Sequence, residues 1–172
     1  MNLALSILFI VSAAVAETSR PMSEMHGDCS HYAVNLSKEI GLWSQQAVQV
    51  KSQVGAVPIA MKLELTLVNQ KEVKYTVPPA KTFPTKEPRG GIFSFEVPES
   101  GQYRVSAGSK IWYDVVDVAA KKIVQATSFE MQTQCKTIFK TVAYELVAGR
   151  KYQLQVSSSD AAVALMMVTQ VN

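Results

Sequence analysis

The stretch "FSFEVPESGQYRVSAGSKIWYDVVD", Phe93 to Asp117, decides the fold class. Phe93, Phe95 and Val97 alternate with polar neighbours, and "PESG" then supplies a turn at Pro98 to Gly101. Tyr103, Val105 and Ala107 alternate again, and "IWYDVV", Ile111 to Val116, follows as another strand. A period of two places every second side chain on one face of a pleated strand, so each run has a face to bury. Such short runs, divided by turn signals every ten residues or so, predict an antiparallel β-sandwich, jelly-roll-like, in a mainly β chain.

The pattern extends in both directions. Met61, Leu63, Leu65 and Leu67 alternate, as do Val73, Tyr75 and Val77, with a turn between them at Asn69-Gln70-Lys71. "PPAKTFPTKEPRGG", Pro78 to Gly91, cannot sit in a central strand, because each proline lacks a ladder donor. It predicts a long surface loop. Downstream, Ile123 to Thr127 and Thr137 to Leu146 read as strands. So do Tyr152 to Val156 and Val163 to Thr169, with turns at "VAGR" (Val147 to Arg150) and "SSSD" (Ser157 to Asp160).

Upstream the period changes. Ala33, Leu36, Ile40, Trp43, Ala47 and Val50 recur at steps of three and four, one face of an amphipathic helix within Asp28 to Val50. Asp28 or Ser30 suits its N-cap. Gly41 costs about 1 kcal/mol against alanine, so a break is expected there.

The first sixteen residues, "MNLALSILFIVSAAVA", read as a signal peptide ending in Ala14-Val15-Ala16. A leader, 17–27, is expected to be flexible, and 28–172 to form one helix-plus-sandwich domain. No run after the leader is long and apolar enough to span a bilayer. The expected localisation is periplasmic or secreted. The 172 residues carry a net charge of +3. That excess is too small, and its Lys/Arg too scattered, for a nucleic-acid surface.

Two cysteines in an exported chain read most simply as one disulfide, Cys29 with Cys135. The alternative is a reactive thiol or redox couple, which a CxxC spacing or a basic thiol environment would favour; neither is present. Around Cys29 stands the stretch "MHGDCSH". With Met22, the residues Met25, His26, Asp28 and His31 form a Met/His set of the kind that suits Cu(I). The competing reading is a solvated leader. A four-ligand zinc site needs Cys29 free.

"FSFEVPESGQYRVSAGSKIWYDVVD" and "YELVAGRKYQLQVSSSDAAVALMMV" (Tyr144 to Val168) resemble the β-sandwich of bacterial pre-peptidase C-terminal domains. The chain is also similar to small exported bacterial proteins of unknown function that join an early Cys and helix, a "W-x-D-V-V" strand and a late Cys. Here these are Cys29, Trp112 to Val116 and Cys135. The resemblance implies an exported sandwich and says little of activity. Some such proteins carry the label homogentisate dioxygenase. This sequence argues against it: His26 and His31 are the only histidines, both in or beside the leader, and a non-haem iron site wants two histidines and a carboxylate.

No catalytic constellation is legible. There is no G-x-S-x-G elbow, P-loop or dinucleotide fingerprint, and no cofactor is called for. Asp114 shares a strand face with Trp112. If Trp112 is core, Asp114 is either a cation or polar-ligand contact, or a carboxylate satisfied by loop N–H groups. Lys81, Phe83, Lys86 and Arg89, with Tyr75 nearby, form a candidate contact surface on the proline-rich loop, where sandwiches usually bind. The leading expectation is a non-enzymatic binding or accessory protein of the cell envelope, its partner or ligand unknown. A periplasmic copper-binding protein is the first alternative. A hydrolase or other enzyme with an unrecognised site is the second.

Overall fold

A computed structural model describes residues 24–53 and 56–171. The predicted signal peptide, the first part of the predicted leader and Met22 lie outside these residues. Among the described residues, eleven strands form two sheets. They are β1 (Val48–Lys51), β2 (Leu63–Thr66), β3 (Val68–Asn69), β4 (Arg89–Glu96), β5 (Gly101–Ala107), β6 (Trp112–Asp117), β7 (Lys122–Ile123), β8 (Ala126–Met131), β9 (Lys140–Leu146), β10 (Lys151–Ser159) and β11 (Val163–Gln170). The six-stranded sheet runs β1-β2-β11-β5-β9-β8 and the five-stranded sheet β3-β4-β10-β6-β7. The strand pairs are antiparallel except β1 with β2, which is parallel, so the antiparallel expectation holds for all but one edge.

The period-two residues meet between the sheets. Leu63 and Leu65, Phe93 and Phe95, Tyr103 and Val105, Tyr113 and Val115, Leu154 and Val156, and Met166 and Val168 share one buried core. Each large apolar side chain buried there contributes about 1.5–3 kcal/mol of transfer free energy. The sandwich expected from Phe93 to Asp117 is therefore the fold that forms, with one correction of facing. Tyr113 and Val115 enter the core, whereas Trp112 is half-exposed. Trp112 and Asp114 have the opposite parity on β6 and lie on the outer face of the five-stranded sheet.

The outer face of the six-stranded sheet carries a second apolar cluster, made by Tyr32, Leu36, Trp43, Cys135, Ile138 and Met167. The predicted helix is far shorter than its spacing implied. A 3-10 turn covers Cys29–His31, α1 covers Ser37–Trp43, and the chain is already extended at Val48. Asp28 caps the 3-10 turn, accepting from Ser30 N at 2.9 Å, and not α1, whose first N–H goes to Asn35 Oδ1. The buried face is also one residue from the expected one: Glu39 is buried and Ile40 exposed. Glu39 Oε1 accepts from Thr169 Oγ1 at 2.9 Å and from Arg104 Nη1 at 3.2 Å. An ion pair across to β5 and β11 has overridden the apolar periodicity.

Cys29 and Cys135 form the predicted disulfide, joining positions 106 residues apart in sequence. Such a bond persists in an oxidising, non-cytoplasmic setting. Among the described residues, no helix is long and apolar enough to cross a membrane. Residues 24–27 of the predicted leader are docked. Gln132 donates to the carbonyls of Glu24 and His31 and accepts from Gly27 N at 2.7 Å, and Met25 is buried.

Three further differences concern strand ends. Val73, Tyr75 and Val77 form no strand, because the segment leaves the ladder and crosses the five-stranded sheet. Ile123 to Thr127 splits into β7 and β8. Ser157 to Ser159 continue β10 through a register shift instead of turning.

Candidate functional site

The chain between β3 and β4 forms a third layer on the outer face of the five-stranded sheet. Tyr75 Oη donates to Val156 O at 2.7 Å. Gln155, fully buried, accepts from Thr76 N at 2.8 Å and donates to Val77 O at 3.0 Å, as a strand backbone would. Gln153 accepts from the Thr76 hydroxyl. Asp114 Oδ2 accepts from Ala80 N and from Trp112 Nε1, each at 3.0 Å. Ser158 Oγ accepts from Phe83 N at 2.9 Å. Two amides give Thr76 and Val77, and a carboxylate and a hydroxyl give Ala80 and Phe83 of the proline-rich segment, the partners that a ladder would have supplied. Asp114 is satisfied by a loop N–H, the second of the two readings the sequence allowed.

This layer divides the face in two. On the β6 side the loop meets an aromatic and cationic cluster. Phe83 packs edge-on against Trp112 with ring centroids 5.9 Å apart, and Lys81 Nζ stands 5.2 Å from the Trp112 ring. Lys140, the first residue of β9, reaches the same ring at 5.3 Å and the Tyr113 ring at 4.3 Å. It is 6 % exposed. Burial pushes its amine down to about 8, and the Asp114 carboxylate pulls the other way. Burial raises the Asp114 carboxyl, while its bonds to Ala80 and Trp112 and the nearby Lys140 charge oppose that. Burial also lifts the phenols, that of Tyr75 up to about 12 and those of Tyr113 and Tyr144 higher.

On the β4 and β10 side lies an open groove of about 780 Å³. Its floor and rim carry Ser94, Glu96, Lys151 and Gln153, with Lys74 from the loop. Val57, Pro58 and Ile59 add an apolar wall. That wall belongs to a strap that leaves β1 and pairs with β4: Gln53 N donates to Ile92 O at 2.9 Å and Val57 N to Ser94 O at 2.7 Å. Gln53 and Ala60, at the two ends of the strap, hold positive φ values of 63° and 57° without being glycine. Backbone strain of this kind costs about 1–3 kcal/mol per residue and gathers at binding and catalytic sites. The groove volume falls within the range of small-ligand sites.

No protein-family model matches the chain, and no curated protein matches it.

Of the predicted contact residues, Lys81 and Phe83 come together over Trp112. Lys86 is exposed on the loop, and Arg89 has joined β4 with its guanidinium 4.0 Å from Glu87. The described members of the Met/His set, Met25, His26, Asp28 and His31, are not gathered around one point. His26 Nδ1 lies 3.1 Å from Thr133 Oγ1, Met25 is buried, and Asp28 is engaged with Ser30 and, at 3.0 Å, with His31. Bonds from the Ser30 hydroxyl and amide lower the Asp28 carboxyl to about 2. Among the described residues, no three His, Cys, Asp or Glu side chains are placed to hold one metal ion. Cys29 is committed to the disulfide.

The sequence reading missed Lys140, Gln153 and Gln155. For Lys140 a signal existed: it shares the inward parity of Val142, Tyr144 and Leu146, which is an unusual place for lysine. Gln153 and Gln155 gave none, since polar residues at outward strand positions are ordinary.

Proposed function

We propose that this is an exported, disulfide-bonded binding protein of the bacterial cell envelope, without chemistry of its own, that takes its ligand on the outer face of the five-stranded sheet. The observation that carries the reading is the open groove of about 780 Å³ between the strap and the crossing loop. Two amines, Lys74 and Lys151, stand there with one carboxylate, Glu96, and with the amide and hydroxyl of Gln153 and Ser94. That balance suits a polar ligand carrying negative charge, held by a few directed bonds against an apolar wall. The disulfide supports export, as do the signal-like first sixteen residues and the similarity to small exported sandwich proteins. The exposed crest of the loop, with Phe83 and Lys86, and Arg89 at the start of β4 extend the same face.

The test is a photo-reactive residue at position 94 in the full chain, exposed to envelope fractions of the source cells. The reading expects an adduct that is lost in Lys74→Glu/Lys151→Glu and weakened in Lys81→Glu/Lys86→Glu/Arg89→Glu. Equal adducts in all three proteins, or none in any, would refute it.

A further inference from the structure

The polar groups of the groove over β4 and β10 stand in a fixed order. In the antiparallel pairing, Glu96 is opposite Lys151 and Ser94 is opposite Gln153. Glu96 closes β4 and Lys151 opens β10, so this charged pair marks the outer end of the floor. Ser94 and Gln153 come one pleat repeat further in, about 6.8 Å along the strands. At the inner end the crossing loop bounds the floor, its Thr76 hydroxyl bonded to Gln153 and its Lys74 side chain lining the groove. The strap supplies an apolar side with Val57, Pro58 and Ile59.

These groups are not used up by the fold. Among the described residues, Glu96, Lys74 and Lys151 enter no ion pair, although Glu96 and Lys151 are cross-strand neighbours of opposite sign. All three are exposed. Among the same residues, neither the Ser94 hydroxyl nor Gln153 Nε2 has a protein partner, and neither is shut away from solvent, so both open to the groove. The Gln153 amide is oriented by its other end, since Oε1 accepts from Thr76. A carboxylate and an amine thus stand at the outer end, two neutral hydrogen-bonding groups in the middle, and a second amine comes from the loop at the inner end.

An extended peptide advances two residues in about 6.8 Å, so a chain laid along the floor repeats in step with it. We propose, on the reading that this face receives the ligand, that the groove takes a short acidic peptide of about three residues with both ends free. The ammonium of its first residue meets Glu96, its main-chain amides meet Ser94 and Gln153, and its terminal carboxylate meets Lys74. Lys151, beside Glu96, takes the carboxylate of an acidic side chain, and an apolar side chain rests on Val57, Pro58 and Ile59. One ammonium and two carboxylates match one glutamate and two lysines, each through a charge-assisted bond. A phosphate or a polyanion would meet Glu96 as a like charge. A sugar ring finds no exposed aromatic face in the described lining, where Phe95 is 1 % exposed.

The intact disulfide-bonded chain is titrated with alanyl-glutamyl-alanine, and binding is read from backbone amide NMR shifts. The expected result is saturable shifts confined to β4, β10, the strap and the residues around Lys74. Acetylating the amino end of the peptide should weaken binding at least about three-fold, and so should amidating its carboxyl end, the scale of one exposed ion pair. In Glu96→Gln the acetylated and free peptides should bind alike while the amidated one stays weaker, and in Lys74→Gln the pattern reverses. Both residues are exposed, so neither change disturbs the core. Absence of saturable shifts, equal affinity for free and blocked peptides, or discrimination unaltered in both variants would overturn the proposal. Inorganic phosphate and a glucuronate disaccharide are titrated in parallel. If either of these shifts the groove resonances and the peptide does not, the peptide is wrong and the ligand face stands. The same holds if none of them binds but envelope fractions still give the adduct at position 94 that depends on Lys74 and Lys151. Loss of that adduct as well sinks both readings.

Discussion

Burying Lys140 against two rings has a consequence for stability that depends on pH. Its folded amine titrates near 8, below the 10.5 of an unperturbed lysine. The unfolded chain therefore binds the extra proton more readily. Below pH 8 the fold bears a cost of about 3 kcal/mol, which is relieved as pH rises from 8 towards 10.5. The raised phenols of Tyr75, Tyr113 and Tyr144 act in the opposite sense. Their stabilisation is complete below pH 10 and is lost above it, as tyrosines ionise in the unfolded chain first. Denaturant unfolding across pH 7 to 11 is expected to give a maximum near pH 10. In Lys140→Met the rise from pH 8 should vanish while the fall above 10 remains. At pH 7 that variant should match or exceed the parent, since the lost cation–π contacts are worth about 1–2 kcal/mol, less than the charge penalty removed. Asp114→Asn is expected to destabilise by about 1–3 kcal/mol, because Ala80 N–H and Trp112 Nε1–H lose a charged acceptor. It should also lower the Lys140 titration further, which pH-dependent amine labelling reads directly.

At the scale of single elements, the two outer layers are held by polar side chains and one covalent bond. The seven residues of α1 are too few to be helical alone. Leu36 and Trp43 bury its apolar side, and Glu39 binds Arg104 and Thr169. Replacing Glu39 by leucine takes the carboxylate from the half-buried Arg104, which keeps its bond to Asn35 O, and the acceptor from Thr169, and is expected to cost about 1–3 kcal/mol by denaturant unfolding. Removing the Cys29–Cys135 bridge by a double serine substitution should cost about 4–5 kcal/mol in the chain-entropy picture, for a loop of this length. The period-two strands were legible because their alternation has one physical meaning in a two-sheet protein. The helix was legible only as a segment that packs. Its apparent span included Ala47 and Val50, which continue the three-and-four spacing by coincidence while the chain is entering or within β1. The crossing loop was legible from its prolines. Its attachment was not, because Gln153, Gln155 and Asp114 look like solvent-facing strand residues until a third layer lies over them.

For the whole molecule, the layers succeed one another as N-terminal segment, six-stranded sheet, five-stranded sheet and crossing loop. The disulfide fastens the first layer, and the polar bonds of β6 and β10 fasten the last. The last layer is the one left incomplete, since it covers the β6 side and leaves the groove over β4 and β10 open. The sequence pointed to this loop as a contact surface through Lys81, Phe83, Lys86 and Arg89. It could not point to the groove, whose parts come from the strap, β4, the loop and β10 and meet only in three dimensions. The central claim is that this face receives the ligand, and amine footprinting tests it most directly. Lysines are acetylated in the intact chain with and without an envelope fraction, and each rate is read by mass spectrometry. The account predicts that Lys74 and Lys151 slow together when the fraction is present while the exposed Lys122 is unchanged. Unchanged rates at Lys74 and Lys151, with protection falling instead at Lys38 of α1, would contradict it.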